Sequence, residues 1–194
     1  MTLDASAARD QAVTRLRDLA RLAERCAETL PADIGAAAAL VRGVLANGGT
    51  LFFCGNGGSA ADAQHLATEY VVRYMKNRRA LPAIALTTDT SLLTAAGNDL
   101  GFDQIFSRQV EALVRAGDLL VVHSTSGRSP NVVRAAEAAR ARGAKVLALT
   151  AGDGGDVLAL ADVALMIPTD RTDRAQELHL MIQHVICELV EADA

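Results

Sequence analysis

The chain has 194 residues, 51% of them hydrophobic, and a formal net charge of −4. A chain of this length can bury a core without disulfides, and its apolar fraction excludes an intrinsically disordered protein. Only 3% of the residues are aromatic and none is Trp, so the chain offers no base-stacking platform. Its mildly negative net charge does not favour a basic stripe for phosphates, and a nucleic acid is therefore not an expected partner.

The three cysteines, Cys26, Cys54 and Cys187, are widely spaced in apolar runs and form no CxxC pair. This pattern favours buried free thiols in a reducing cytosol over a disulfide framework or a thiolate zinc site. The N-terminal residues lack the segments of a signal peptide, and no apolar run reaches the length of a membrane span. We therefore expect a soluble cytoplasmic protein without a membrane partner.

Two helices are predicted at the start of the chain. Over residues 4–30, apolar side chains recur at three- and four-residue steps, and Pro31 ends this first helix. A second helix over 33–46 ends at the Asn-Gly-Gly sequence that begins at Asn47. These helices either pack on the chain's own sheet or build an oligomer interface, and the pattern does not decide between the two.

The rest of the chain alternates short apolar runs with helical stretches. Strands are predicted at 50–54, 83–86, 118–123, 145–150 and 163–167, and helices near 60–76, 103–115, 131–142, 157–160 and 174–190. Continuous apolar strands separated by helices are typical of a parallel sheet covered on both faces. The fold class is therefore α/β, in one domain over 1–194 with an N-terminal helical arm at 4–48 and a core at 50–194.

Two of the predicted strands end in loops rich in Gly and Ser. The first loop has the sequence CGNGGS at 54–59 and the second has STSGRS at 124–129. Each leads into a predicted helix, whose free N–H groups and positive dipole end favour anions. Neither loop matches the dinucleotide or Walker signatures. Since the carboxyl ends of parallel strands meet in one crevice, the two loops together predict a site for an anionic ligand.

Two short polar sequences follow the second predicted strand. They are TTD at 87–89 and GND at 97–99. Both are typical of turns, where Asp and Asn side chains cap the backbone. Beside a crevice they could also hold the hydroxyl groups of a sugar, and the residues alone leave both interpretations open.

Candidate proton-transfer or metal-binding side chains lie on two predicted helices. His65 and Glu69 are four residues apart on one helix face, within about 6 Å of each other, and could share a metal ion or a proton path. On the last helix, Gln176, His179 and His184 interrupt an apolar pattern. Gln176 and His184 are about 12 Å apart along a straight helix. If both serve one site, the helix is broken or a second subunit supplies one of them.

In their order and spacing, these motifs resemble the sedoheptulose-7-phosphate isomerase (phosphoheptose isomerase) family of the sugar isomerase (SIS) fold. The matching segments are CGNGGS at 54–59, DAQH at 62–65, GND at 97–99, STSG at 124–127 with Ser129, and DRAQELH at 173–179. The resemblance extends over nearly the whole chain, including the two leading helices. It implies an SIS fold with a five-stranded parallel sheet in a flavodoxin-like three-layer arrangement, and a homotetramer with active sites at subunit interfaces.

The resemblance also implies a reaction. The family converts sedoheptulose 7-phosphate to D-glycero-D-manno-heptose 7-phosphate, the first step towards nucleotide-activated heptoses for lipopolysaccharide or other glycans. The expected partners are therefore a small phosphorylated sugar and further copies of this chain.

Several residues match positions to which the family assigns a role. The substrate contacts carried over in this way are Asn56, Gly57, Gly58, Asn98, Asp99 and Gln176. The phosphate would be held by Ser124, Thr125, Ser126 and Ser129, with Ser59 close by. The ligands of one zinc ion per subunit would be His65, Glu69, Gln176 and His184.

The acid–base pair of the family matches Glu69 and His184. We hypothesise that Glu69 is the base at carbon and His184 the acid at oxygen, with Asp173 as an orienting group in the substrate site. A carboxylate bound to a metal cannot also be a free base, so the two roles of Glu69 compete.

Some residues depart from the family's pattern. Arg128 stands where Asn is common, and we expect it to point to solvent rather than to the phosphate. His123 replaces a small or apolar residue and is expected to be buried and hydrogen-bonded. Tyr70 and Val72 replace a common Leu and Gly. These departures affect the choice of sugar more than the type of reaction.

Two non-catalytic alternatives fit the same fold. One is an SIS tetramer that serves as a scaffold for the bacterial replication initiator, and the other is a module that senses a phosphosugar without converting it. Neither has a physical need for the pair Glu69 and His184 together with Gln176, so the sequence favours the isomerase.

Overall fold

A computed structural model describes residues 4–192, which form seven α-helices and five β-strands. In chain order they are α1 (Ala5–Thr29), α2 (Pro31–Ala46), β1 (Leu51–Gly55), α3 (Gly58–Val71), β2 (Ala83–Ala85), α4 (Thr90–Asp99), α5 (Ser107–Leu113), β3 (Leu119–His123), α6 (Pro130–Ala141), β4 (Lys145–Ala151), β5 (Val163–Ile167) and α7 (Thr172–Glu191). Two 3₁₀ turns lie at Phe102–Gln104 and Asp156–Leu160.

The five strands form one parallel sheet in the order β2-β1-β3-β4-β5. This is the flavodoxin-like strand order, and it confirms the predicted fold class. The last residues of β1 and β3, Gly55 and His123, are paired across the two strands. The loops that follow β1 and β3 therefore leave the sheet side by side at its carboxyl edge.

Helices cover both faces of the sheet. Because successive strand residues point to opposite faces, Phe53 packs among residues of α2, α3 and α7, whereas Phe52 packs among residues of α4, α5 and α6. All five residues of β1 and of β3 are buried. This double burial explains why the strands are continuous apolar runs.

The two N-terminal helices differ in how they pack. Residues such as Ala37 and Val41 of α2 are buried in the core beside α7. Along α1 the buried residues are Leu22 and Cys26, and Leu16 is 69% exposed. Hence α2 covers the chain's own sheet, and α1 leaves part of its apolar surface open.

Within residues 4–192, no single helix is long and apolar enough to cross a membrane. Only α1 and α2 taken together reach that length and composition, and they are bent by 73° relative to each other.

Three predicted helices were wrong in extent or type. The helix predicted at 60–76 ends at Val71, and the helix predicted at 103–115 is a 3₁₀ turn followed by α5. The segment predicted as a helix at 157–160 is a 3₁₀ turn. In addition, α4 was missed, because its polar ends were interpreted as turns; Asp89 caps it by accepting a hydrogen bond from the backbone N–H of Leu92 at 2.9 Å.

Candidate active site

The first Gly-rich loop joins β1 to α3 and is tied to the start of α6. The side-chain amides of Asn56 and Asn131 exchange two hydrogen bonds, of 2.9 and 2.8 Å. Asn131 lies in the first turn of α6, just after the second loop. This amide pair connects the two predicted binding loops at the carboxyl edge of the sheet. Asn131 was not among the predicted site residues, because its position at the start of a predicted helix was its only signal.

The second loop, at 124–129, is folded tightly against the loop that follows β4. Ser124 is buried, and the backbone N–H of Gly127 donates to its carbonyl oxygen at 3.1 Å. Gly127 has a φ of +63°, and a Cβ on it would overlap the backbone carbonyl of Gly154. The hydroxyl groups of Thr125, Ser126 and Ser129 belong to partly or fully exposed residues. The backbone is therefore fixed while these hydroxyls remain open to a ligand.

Arg128 is exposed, and its guanidinium donates a hydrogen bond to the carbonyl oxygen of Ser126 in its own loop at 3.2 Å. Its guanidinium donates two hydrogen bonds, of 2.9 and 2.5 Å, to the carboxylate of Asp153. The ion pair spans the gap between the second loop and the loop after β4. In this conformation Arg128 lines the same cavity as Thr125, Ser126 and Asp153 and joins the two loops that border it.

Three side chains from two helices converge beyond the first loop. The Nε2 atom of His65 lies 2.8 Å from Nε2 of His184 and 3.2 Å from Oε1 of Glu69. One ligand atom from each of the three lies within 4.8 Å of the others. His65 and Glu69 share a face of α3, as the spacing predicted, and α7 brings His184 to them.

The pKa of His184 is lowered from its usual value. Partial burial is the largest cause and the neighbouring His65 the second, while the negative charge of Glu69 acts in the opposite direction. The lowered pKa favours the neutral imidazole at neutral pH, which is the form that binds a metal ion or accepts a proton.

Tyr74 forms one wall of this cluster. Its ring centroid lies 5.3 Å from that of His184, and the two rings are inclined by 14°. Tyr74 was not among the predicted site residues, because it was placed in a continuous helix over 60–76, whereas α3 ends at Val71. Its signal was slight: it is one of two tyrosines in the chain.

Gln176 lies apart from the three converging side chains. Since α7 is unbroken from Thr172 to Glu191, Gln176 is about 12 Å from His184 along the helix axis. Its amide is packed against Gly58, where a Cβ would overlap it. Within one chain, the structure thus unites three of the four predicted metal ligands and places Gln176 at the start of α3, beside the first loop.

The remaining predicted substrate contacts lie in several places. Ser59 is buried in the first turn of α3. Asn98 donates a hydrogen bond to Asp99 at 2.7 Å, and both are exposed at the end of α4. Asp173 is exposed in the first turn of α7, where it pairs with Arg171.

The three converging residues fit a zinc ion. Two imidazole nitrogens and one carboxylate oxygen are a donor set that zinc uses in proteins, and three protein ligands leave a coordination position open. The ligand atoms of His65, Glu69 and His184 already lie close enough together to face one ion.

Two other histidines have no part in the converging cluster. His123 is fully buried and its Nε2 lies 3.3 Å from Nε2 of Gln183, which confirms the expectation of a buried, hydrogen-bonded histidine. Burial, and secondarily His179, lowers the pKa of His123 to about 3. His179 is buried with Nε2 3.0 Å from the carbonyl oxygen of Thr150, and burial lowers its pKa to about 4. Both imidazoles are neutral supports of the core.

Comparison with known proteins gives a consistent result. The SIS domain family matches residues 16–151. A phosphoheptose isomerase of Chlorobaculum parvum is 56% identical over 176 residues, which are 89% of this chain and 84% of that relative. The solved phosphoheptose isomerase of Neisseria gonorrhoeae matches with a TM-score of 0.90 at 45% identity, over 95% of this chain and 98% of that one. The one of Francisella tularensis matches with a TM-score of 0.92 at 37% identity, over 99% and 100%.

Proposed function

We infer, from the premise that this chain belongs to the phosphoheptose isomerases of the SIS domain family, that it converts sedoheptulose 7-phosphate to D-glycero-D-manno-heptose 7-phosphate. The observation that carries this inference is the contact of Glu69 with His65 and of His65 with His184. Carboxylate and imidazole are the groups that a proton-transfer reaction requires. A scaffold or a phosphosugar sensor needs neither, so these alternatives are not favoured.

The reaction moves one hydrogen between neighbouring carbons. A base removes a proton from C1 of the ketose, an enediol(ate) forms, and a proton returns to C2 of the aldose. We assign the base at carbon to Glu69, whose side chain is partly buried next to His65. His184 would serve the substrate oxygens, because a neutral imidazole N–H can still polarise an oxygen by hydrogen bonding.

The second loop and the start of α6 would hold the phosphate. The hydroxyls of Ser124, Thr125, Ser126 and Ser129 lie just before a 12-residue helix, whose N-terminal N–H groups favour an anion. In the same proposal Asn56, Gly57, Gly58, Asn98, Asp99, Asp173 and Gln176 bind or orient the sugar, and Ser59 lies close to it. The amide pair of Asn56 and Asn131 supports a common site for both loops.

A zinc ion would be held by His65, Glu69 and His184. When bound, zinc polarises a carbonyl or fixes the geometry of its ligands. Because Gln176 of the same chain lies at Gly58, its role as a ligand would require a second subunit. We therefore propose a homotetramer in the cytoplasm with one zinc per subunit and active sites at subunit interfaces.

Proton exchange tests the proposed reaction directly. The chain is incubated with sedoheptulose 7-phosphate in D₂O, with and without added zinc, and the products are followed by NMR. A new aldose signal with deuterium at C2 is expected. A folded protein that gives neither product nor exchange under both conditions would contradict the isomerase and support the scaffold or sensor.

A further inference from the structure

The segment that follows α3 is held by a single carboxylate from the end of α7. Oε1 of Glu191 accepts the backbone N–H of Tyr74 at 2.7 Å, and Oε2 accepts those of Met75 and Lys76 at 2.8 and 2.9 Å. These are three consecutive backbone donors on one side chain. Such an arrangement fixes the path of the chain at residues 74–76.

Arg78 completes this arrangement from the opposite side. Its Nε lies 3.1 Å from Oε1 of Glu191, and its Nη atoms donate to the carbonyl oxygens of Tyr70 at 2.8 Å and Glu69 at 2.6 Å. These carbonyls belong to the last turn of α3, where the helix has no further N–H to offer. Arg78 therefore joins the end of α3, the segment after it and the end of α7.

The pair is almost completely buried, with the side chains of Arg78 and Glu191 only 4% and 2% exposed. Burying two charges costs free energy that a hydrophobic pair would avoid, so such a pair is weak evidence of stabilisation. What the Arg78–Glu191 pair supplies is a fixed position for the segment at residues 74–76. The segment that it fixes carries Tyr74, whose ring lies against His184, and α3 carries Glu69.

We propose that Arg78 and Glu191 are positioning residues of the active site, which hold Tyr74 flat against the His184 imidazole and so keep that imidazole directed at His65 and Glu69. The pair acts on the proton-transfer and zinc-binding groups without touching the substrate. This inference rests on the proposed function only for its effect on turnover. Its effect on the His184 ring is a property of the folded chain alone.

The first test compares Tyr74→Leu with Tyr74→Phe. The Phe variant keeps the ring, and we expect it to keep the wild-type kcat and the ring-current shift of the His184 protons in NMR spectra. The Leu variant should lose that shift. Its kcat and its zinc affinity should each fall by about 10- to 100-fold, the usual effect of removing a group that orients a ligand, with KM nearly unchanged.

The second test uses Glu191→Gln, with Glu111→Gln as the matched control in an exposed ion pair. In the Glu191 variant, the amides of Tyr74, Met75 and Lys76 should exchange with D₂O much faster than in the control. The His184 signals and the zinc affinity should change as in Tyr74→Leu. If Glu191→Gln does not fold, Arg78→Lys takes its place with the same measurements, because it removes the guanidinium donors to the carbonyl oxygens of Tyr70 and Glu69 and keeps the positive charge. A folded variant of the pair that keeps slow amide exchange at residues 74–76 and wild-type His184 signals would overturn the positioning role of Arg78 and Glu191.

The proposal is overturned if folded Tyr74→Leu keeps the wild-type His184 signals, zinc affinity and kcat. It is also overturned if Tyr74→Phe is as defective as Tyr74→Leu, since the ring would then not be what acts. If the wild-type chain proves inactive on sedoheptulose 7-phosphate, the proposed function fails, whereas the NMR and zinc measurements still test the positioning of His184.

Discussion

Glu69 is the residue for which the proposed metal-ligand role and the proposed base role compete. Its Oε1 lies 3.2 Å from Nε2 of His65, and its backbone carbonyl accepts a hydrogen bond from Arg78. The carboxylate is thus placed by His65, one turn earlier on α3, and the backbone at Glu69 is held by Arg78 from the segment after α3. A substitution that keeps the shape and removes the charge separates its chemistry from its packing.

We therefore predict that Glu69→Gln strongly lowers turnover while the fold and the oligomeric state are retained. The loss in kcat should be about 10²- to 10⁴-fold, the range for removal of a general base. Steady-state kinetics, circular dichroism and sedimentation measure the three properties. Glu137→Gln, an exposed carboxylate on α6, is the control and should remain active. Retained activity in Glu69→Gln would remove Glu69 from the base role.

The buried histidines give the protein an acid sensitivity that does not depend on the active site. Burial lowers the pKa of His123 to about 3 and that of His179 to about 4, from an ordinary value of 6.5. Between these values the unfolded chain binds more protons than the folded chain, so stability rises with pH there. It is therefore lost progressively as the pH falls from about 6.5 towards the folded-state values.

The unfolding free energy should change with pH by up to about 1.4 kcal/mol per pH unit for each such histidine. Urea unfolding at a series of pH values between 7 and 4 measures it. The double substitution His123→Leu with Gln183→Leu removes one titrating group without leaving its partner unpaired. In the double variant, the slope of the unfolding free energy against pH should fall by up to about 1.4 kcal/mol per pH unit, the contribution of one histidine. An unchanged slope would show that His123 is not protonated on unfolding in this range.

The residues of the converging cluster were only partly predictable from the sequence. The i, i+4 spacing of His65 and Glu69 gives their common helix face directly. Tyr74 could not be predicted to lie beside His184, because its backbone is held by Glu191, 117 residues away. Hydrophobic periodicity predicts a helix, but it does not show that a carboxylate far along the sequence holds the chain on another path after Val71.

At the scale of elements, the strands were predicted closely and some connections were not. Each predicted strand lies within one residue of an observed one at either end, since buried parallel strands are short apolar runs with clear limits. By contrast, α4 has Thr, Gly and Asn in its sequence, residues that are also common in turns. The packing of Ala96 against the core makes this segment a helix, and local sequence does not reveal that packing.

The second loop depends on the close approach of two backbones. We predict that Gly127→Ala destabilises the protein by more than about 1 kcal/mol, because Ala is strained at positive φ, and because its Cβ would overlap the carbonyl of Gly154. Displacing the loop should also weaken binding of inorganic phosphate. Urea unfolding and a phosphate titration measure the two effects.

Gly35→Ala is the matched control for this loop variant. Gly35 lies inside α2, where a Cβ would meet nothing within 4 Å, and Ala should stabilise the helix by roughly 0.5–1 kcal/mol. We expect the unfolding free energy to fall in Gly127→Ala and to rise in Gly35→Ala. If Gly127→Ala is as well tolerated as Gly35→Ala, the loop is not held as tightly as its geometry indicates.

At the scale of the whole molecule, apolar side chains remain open on two helices. Met181, Val185 and Leu189 are spaced four residues apart along α7 and are each at least 40% exposed, and Leu16 is exposed on α1. A four-residue spacing places the three α7 residues on one face. This face lies next to His184, so a partner that covered it would also border the active site.

We predict that the wild-type chain, of 20.3 kDa, sediments as a tetramer and that Val185→Gln weakens the assembly. A polar amide in place of Val removes apolar area from the contact and buries a group without a partner. Leu113→Gln, the same kind of apolar-to-amide change at a 46% exposed residue of α5, is the control and should remain assembled. Analytical ultracentrifugation over a range of concentrations measures both.

The same variant tests whether a second subunit completes the proposed metal site. In one chain Gln176 is about 12 Å along α7 from His184, so a fourth ligand from this position requires another copy. If so, zinc affinity in Val185→Gln should depend on protein concentration and rise as the subunits associate. A dissociated variant that binds zinc as tightly as the wild type would show that His65, Glu69 and His184 suffice, and Gln176 would then act at the sugar, next to Gly58, where its amide already lies.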